Sequence, residues 1–464
     1  AMPAPTRPAA DPAALRRTDA AHHLHPFSDP RQVRAEGAHV LVRGEGVYVW
    51  DADGHRLLDG LAGLWCAALG YSRPELAEAA ARQLRTLSYA KSFFGQATPP
   101  VAELAGVLAE LAPPGLGVAF FASSGSEANE TIVRLVRRFW QLEGRPEKRI
   151  LLTREFAYHG SSVMAASLGG MAAMHAMAGV EPGVEHVLPP YAWRYARPGE
   201  SPEAFGRRAA DALEERILAI GPERVAAFFG EPLQGAGGVI VPPDSYWPRV
   251  QAICRRHDVL LVADEVITGF GRTGRWWGVE TFGIERPDFM TLAKAITSGA
   301  LPLSAVLVGE RVATRLADGG VLAHGYTYSG HPVACAVALE NLRILREEGW
   351  VERVGEKTAP YFQRRLQEAF AGHPLVGEVR ASGLIAAVEL SPDPAAQARF
   401  EPEGGFGARV LRESIANGVI FRAVRDALCL CPPLVIREAE IDELVGRVRE
   451  SLDAVARASG LPVA

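Results

Sequence analysis

Cysteine is scarce in this chain. Five occur in 464 residues, odd in number and scattered at Cys66, Cys254, Cys335, Cys429 and Cys431, with no C-x-x-C pair. That pattern argues against a disulfide framework and a thiolate zinc site, and it points to a reducing cytoplasm. No apolar run approaches the roughly 20 residues needed to cross a bilayer, so no membrane association is expected. Positive charge is not in excess either. The formal net charge is −5 and no basic run is long enough to track a phosphate backbone, which argues against nucleic acid. Ala1–Pro12 is rich in Ala and Pro, lacks the cationic start and apolar block of a signal peptide, and reads as a loose tail. What remains is a globular composition, 48% hydrophobic and 22% charged, on a chain long enough for two cores.

Short apolar runs alternate with helix-like stretches between about Gly117 and Gly309. Gly117–Ala122, Arg149–Thr153, Val225–Gly230, Val259–Ala263, Phe289–Leu292 and Ser304–Val308 have strand length and end at polar or Gly-rich residues. Continuous apolar strands separated by helices predict a mostly parallel sheet covered on both faces, the core of an α/β domain. Glu127–Gln141 is the clearest helix, with Ala128, Ile132, Leu135, Val136 and Phe139 at helical spacing. Near the N-terminus, Val47–Trp50 and Leu57–Asp59 flank an Asp-Gly turn and predict a hairpin. Leu384–Leu390 reads as a strand and Ala408–Asn417 as a helix stopped by Gly418. The expected division is an N-terminal segment (1–75), a large domain (76–335) and a smaller C-terminal α+β domain (336–464) that the N-terminal segment joins.

Ligands of parallel α/β sheets collect at the carboxyl ends of the strands, so the residues just beyond each strand are the candidates for chemistry. After Gly117–Ala122 comes Ser123-Ser124-Gly125-Ser126, opening into a helix. Small residues at a helix N-terminus suit an anion, although the same run also reads as an ordinary N-cap. Asp264 ends another strand; a buried carboxylate there needs a cation or several donors, whether in a structural ion pair or beside a heterocyclic nitrogen. Lys294 follows Phe289–Leu292 inside an apolar stretch. It either snorkels outward or, if desolvated, becomes a nucleophile toward aldehydes. An anion seat, an Asp and a Lys in that order are the three handles that pyridoxal phosphate requires. Gly269-Phe270-Gly271-Arg272-Thr273-Gly274 matches the dinucleotide fingerprint, but its context fails. Asp264 to Thr268 separate it from the strand, and Arg275-Trp276-Trp277-Gly278 opens no amphipathic helix.

The blocks Ser123–Asn129, Tyr158-His159-Gly160, Glu231–Gly235, Asp264-Glu265-Val266 with the glycine run, Lys294, and Thr327–Pro332 together resemble the class III aminotransferases, which have the pyridoxal-phosphate-dependent fold type I. The resemblance extends from His22 to about Pro433. Leu24–Phe27, Gly63–Cys66, Ser167–Met171 and Phe421–Ala423 are most similar to the ω-transaminases that use pyruvate as acceptor.

By that resemblance, Gly125 and Ser126 bind the phosphate, Tyr158 stacks on the pyridine ring and Val266 packs on its other face. His159 belongs to the cofactor site, Asp264 pairs with the ring nitrogen and Glu231 lies near the ring substituents. Lys294 forms the Schiff base and shuttles the proton. Thr327 reaches the phosphate of a neighbouring subunit, which implies an obligate homodimer with shared sites and leaves pairing into tetramers open. Phe27, Trp65 and Phe93 are implied as apolar walls, and Arg422 as a carboxylate partner that swings aside for neutral amines. The implied substrates are an amine donor and pyruvate. An aminomutase, a decarboxylase or a 2-oxoglutarate-dependent aminotransferase would share the same cofactor residues. Ala295 stands where the family often has Gly, with no loss of activity expected. His22, His23 and His25 have ligand-like spacing but no accompanying carboxylate or thiolate cluster, so they read as arm residues and no metal is expected.

Overall fold

The computed structural model describes residues 11–463. Its centre is a seven-stranded sheet in the order Val118–Ala122, Ser304–Val308, Phe289–Leu292, Leu260–Asp264, Val225–Gly230, Ile150–Arg154, Val184–Val187. The last five run parallel, whereas Ser304–Val308 is antiparallel to both of its neighbours. Every residue of Val225–Gly230, Leu260–Asp264, Phe289–Leu292 and Ser304–Val308 is buried, as strands covered on both faces must be. Alternate side chains serve opposite layers. Phe228 and Leu261 join the cluster that holds Phe205, Leu213 and Trp247, while Phe229, Leu260 and Val262 join the one built on Ala128, Ile132 and Phe139. The strand Val184–Val187 has little signal in sequence because its centre is Glu185 and His186, both only partly buried.

The expected helix after the first strand spans Gly125–Leu142, and its apolar stripe is wholly buried. The indole of Trp140 on it donates to the Ala226 carbonyl at 3.0 Å, fixing the helix to the sheet.

Around this layer sit two smaller sheets. Leu41–Glu45, Tyr48–Asp51 and Arg56–Asp59 are antiparallel, and Val419–Ile420 adds to Arg56–Asp59 in parallel. The Asp-Gly turn forms as its sequence predicts: Gly54 has φ 90°, and Asp51 Oδ1 accepts the Asp53 and His55 amides at 3.0 and 2.8 Å. Val376–Ser382, Ile385–Leu390, Ala427–Leu430 and Arg422–Val424 form the other antiparallel sheet. The C-terminal helix expected before Gly418 spans Gly405–Ala416, and Gly418 has φ 72°. Most of the tail expected at Ala1–Pro12 lies outside the described residues; Pro12 itself opens the helix Pro12–His22, capped by Asp11.

The glycine run is a packing device. A Cβ on Gly274 would lie 2.8 Å from Gly355 Cα, so only glycine allows that backbone approach. Arg272 Nη1 donates to the carbonyls of Leu384 (2.9 Å) and Pro432 (2.6 Å), tying the run to the C-terminal region. Its base is held by Glu265, whose carboxylate accepts Thr268 Oγ1 at 2.5 Å, the Gly278 amide at 2.9 Å and the Val279 amide at 2.6 Å.

Burial pushes the Glu265 carboxyl up from 4.5 to about 7, against those three donors. A raised folded value means that the buried acid favours the fold below its unfolded value of 4.5, and that this contribution is lost as pH rises toward about 7. Glu265→Gln is therefore expected to flatten the dependence of the urea unfolding midpoint on pH across that window. An unchanged slope would contradict the buried acid.

Candidate active site

The strands deliver their chemistry at one end. Ser123–Ser126 follow Val118–Ala122, Glu231 follows Val225–Gly230, Asp264 closes Leu260–Asp264, and Lys294 stands two residues after Phe289–Leu292. Together with Tyr158, His159 and Val266 they line one cavity of about 410 Å³. The residues expected to hold the cofactor are thus brought together, Thr327 excepted.

At the serine run, the N-cap reading holds. Ser124 Oγ caps the helix by accepting the Glu127 amide at 3.1 Å, and Glu127 accepts the Ser123 amide at 2.7 Å. The amides of Gly125 and Ser126 open the first turn, where no helix carbonyl can reach them. Gly160 (φ 131°) lets the Tyr158 loop lie against this turn, since a Cβ there would sit 2.7 Å from Ser126 Cα. The Ser161 amide then donates to Ser126 Oγ at 3.0 Å, and the Tyr158 hydroxyl is 3.3 Å from Ser161 Oγ.

Asp264 is 3% exposed and surrounded by donors. Its Oδ2 accepts from His159 Nδ1 at 2.7 Å and from Asn129 Nδ2 at 3.0 Å, and its Oδ1 accepts the Val266 amide at 3.1 Å. Burial pushes this carboxyl up, but His159, Asn129 and Val266 outweigh it and hold the group below the usual carboxylate range. His159 therefore bears on the site through Asp264. Asn129 is held in turn by Thr291, whose Oγ1 donates to Asn129 Oδ1 at 2.8 Å. Glu231 accepts the amides of Tyr158 (3.2 Å) and Gly235 (3.0 Å), and burial pushes its carboxyl up.

Lys294 has φ 50°, in the left-handed region that non-glycine residues avoid. The turn that imposes this is braced from behind. Asn341 Nδ2 donates to the carbonyls of Ala295 (2.9 Å) and Ile296 (3.0 Å), and Ser298 Oγ donates to Asn341 Oδ1 at 2.5 Å. Burial pushes the Lys294 amine down, opposed by Asp264, Cys66 and Glu231. A lysine so placed is no snorkelling surface charge, and its lowered value favours the neutral amine that a nucleophile requires.

The remaining predicted residues lie elsewhere. Thr327 is exposed, its carbonyl accepting the Tyr89 hydroxyl at 2.8 Å. Phe93 lines a separate cavity with Gly325, where a Cβ would meet its ring at 2.9 Å. Phe27 is 71% exposed on the N-terminal arm, and Arg422 is exposed on the edge strand Arg422–Val424. Trp65 is buried in a cluster with Ile267, while its neighbour Leu64 lines the Lys294 cavity along with Ile267 and Leu301. Two of the three arm histidines share a single carboxylate: Asp19 accepts from His23 Nδ1 at 2.9 Å and His25 Nε2 at 2.6 Å. Asp19 lies on the helix Pro12–His22, one turn before His23, a proximity that folding creates.

Residues 32–452 match the sequence profile of the family described as aminotransferase class-III. The chain is a class III aminotransferase. It is 49% identical over 439 residues, 94% of this chain and 95% of the relative, to the putrescine–pyruvate aminotransferase of Pseudomonas aeruginosa. The ω-transaminase of Pseudomonas jessenii, solved in complex with PMP, superposes with a TM-score of 0.94 at 44% identity, covering 96% of this chain and 99% of the other. An (S)-enantioselective ω-transaminase from Thermomicrobium roseum gives 0.92 at 46% identity, covering 96% and 98%. The enzyme has fold type I and uses pyridoxal phosphate, and its donor set fits that cofactor: first-turn amides for a phosphate, an ionised Asp264, and a desolvated Lys294 on one cavity.

Asn129 offers a direct test of this charge network. Asn129→Ala removes a donor from Asp264 and orphans Thr291, at a cost of roughly 1–3 kcal/mol. The carboxyl's value should then rise, moving the acid limb of the kcat/KM profile to higher pH. An acid limb at the wild-type pH would show that Asn129 does not support the charge.

Proposed function

We propose that this aminotransferase moves the amino group of a primary amine or ω-amino acid to pyruvate, releasing a ketone or aldehyde and L-alanine. The observation that carries the reading is the desolvated Lys294 amine, which shares its cavity with Asp264 and with an apolar wall at Leu64, Ile267 and Leu301. Likeness to the putrescine–pyruvate enzyme supports pyruvate as acceptor.

Pyridoxal phosphate, when bound, supplies an electron sink for the charge left on the amine carbon. In this reading Gly125 and Ser126 bind its phosphate, and Tyr158 and Val266 cover the two ring faces. Asp264 keeps the ring nitrogen protonated, His159 holds Asp264, and Glu231 lies near the ring substituents. Lys294 would be the attachment point, and its Nζ would serve as the base that holds the proton taken from the amine carbon. Phe27 and Phe93 would add apolar walls, and Trp65 backs one from the core through Ile267. Arg422 turns in to pair with a carboxylate and out for neutral amines, which its exposed edge position supports.

The site is shared in a homodimer, with Thr327 of the partner subunit reaching the phosphate. Support comes from the surface around this chain's own Thr327, where Phe94 (89%), Val321 (91%) and Tyr328 (59%) leave an apolar patch exposed. Residues 76–335 form the cofactor domain, and 1–75 joins 336–464 in the smaller one, a division supported by the pairing of Arg56–Asp59 with Val419–Ile420. No helix among the described residues is long and apolar enough to cross a membrane. All five cysteines are free, which supports a reducing cytoplasm.

Lys294→Ala is expected to bind pyridoxal phosphate without a covalent adduct and to lose alanine formation from amine and pyruvate. Retained multiple turnover would sink the assignment. Product formed from the amine without pyruvate would instead favour an aminomutase or decarboxylase. Arg422→Ala should raise KM for pyruvate much more than for an arylalkylamine donor; equal losses for the two would refute the switching arginine.

A further inference from the structure

Asp59 closes the strand Arg56–Asp59 and is 1% exposed, a carboxylate with no part in the chemistry above. Three donors converge on it. Its Oδ1 accepts the Leu61 amide at 2.8 Å, and its Oδ2 accepts the Gly63 amide at 2.5 Å and the Tyr71 hydroxyl. Burial pushes its carboxyl up, opposed by these three donors and by Arg272 of the glycine run.

Both amides belong to a turn, Leu61–Cys66, that leads from the small N-terminal sheet to the Lys294 cavity. Its backbone is unusual. Ala62 (φ 49°) and Trp65 (φ 65°) take the left-handed region on either side of Gly63 (φ 67°), a conformation that a non-glycine chain leaves unless it is held. Local closure comes from Trp65 N to Leu61 O at 2.9 Å and Cys66 N to Ala62 O at 2.8 Å. The result is a sharp change of direction between neighbours. Leu64 is 58% exposed and lines the cavity, whereas Trp65 is 3% exposed and packs in the same buried cluster as Ile267, itself a cavity residue.

We infer that Asp59 is a positioning residue for amine specificity: its carboxylate holds the strained Leu61–Cys66 turn, so that Leu64 forms a cavity wall and Trp65 backs that wall through Ile267. The inference rests on the amine-transfer reading and adds what sets the shape of the donor pocket. A wall displaced by about 1 Å changes how a bulky donor is held far more than a slender one.

The test uses the full-length holoenzymes of Asp59→Asn and Tyr71→Phe. For each, kcat and KM are measured with benzylamine and with isopropylamine at saturating pyruvate, alongside the absorbance of the lysine-bound cofactor. The ratio of kcat/KM for benzylamine over isopropylamine is expected to fall roughly tenfold in Asp59→Asn and about threefold in Tyr71→Phe, chiefly through KM, with the cofactor absorbance unchanged. A ratio within about twofold of wild type in both variants, or a loss falling equally on kcat for both amines, would overturn the inference. If Asp59→Asn does not fold, Tyr71→Phe alone decides by the same ratio. A wild-type enzyme that makes no alanine from either amine would instead overturn the amine-transfer reading, and this inference with it.

Discussion

Asp264 keeps its charge inside the sheet because His159, Asn129 and the Val266 amide converge on it, and the reach of those donors governs what surrounds it. Removing any one leaves a buried acceptor under-satisfied, a penalty of roughly 1–3 kcal/mol. His159 must therefore sit where the loop after Ile150–Arg154 brings it, and Asn129 must face inward from the helix that also presents Gly125 and Ser126. The first-turn amides of Gly125 and Ser126 and the Asp264 carboxylate are thus positioned by the same helix, one turn apart. Lys294 completes the arrangement from the next strand, since Thr291, which holds Asn129, belongs to the strand that leads to the lysine.

The scaffold places positive and negative groups at the same depth without letting them neutralise one another by contact. Asp264 spends its oxygens on His159, Asn129 and Val266, and the Lys294 amine is lowered by burial. In the proposed reading, both are left with chemistry to perform on a third party, the cofactor. Glu231 and Glu265 are buried carboxylates as well, yet each is satisfied mainly by backbone amides, and Glu265 serves a loop rather than the cavity.

Much of this was legible in the sequence because parallel strands buried on both faces are written as plain apolar runs. The residues just beyond each run are then candidates by position alone, as Ser123–Ser126, Asp264 and Lys294 illustrate, whereas Glu231 is implied only by the family resemblance. Features that depend on folding across distance left less trace. Asn129 looks like one polar residue in an amphipathic helix until Asp264 is beside it; its spacing of four from Gly125, on an otherwise apolar face, is the signal available. Asp19 and the arm histidines come together only once a helix turn and a reversal are formed. Leu64 and Trp65 are adjacent in sequence, and only the left-handed backbone around them separates a cavity wall from a core residue. The glycine run imitates a nucleotide loop because both require backbone to approach closely, here toward Gly355 rather than a phosphate.

The reactive groups occupy rigid strand ends, while the cavity wall at Leu64 is carried by a turn, Phe27 by an arm and Arg422 by an edge strand. In the proposed reading, chemistry and selectivity are therefore inherited separately. Substitutions in the turn, the arm or the edge strand would then redirect which amine is accepted without disturbing the sheet that holds Asp264 and Lys294. A lineage built on this scaffold can diversify its diet while its catalytic core stays constant, and a directed-evolution library has the same few exposed segments to draw on.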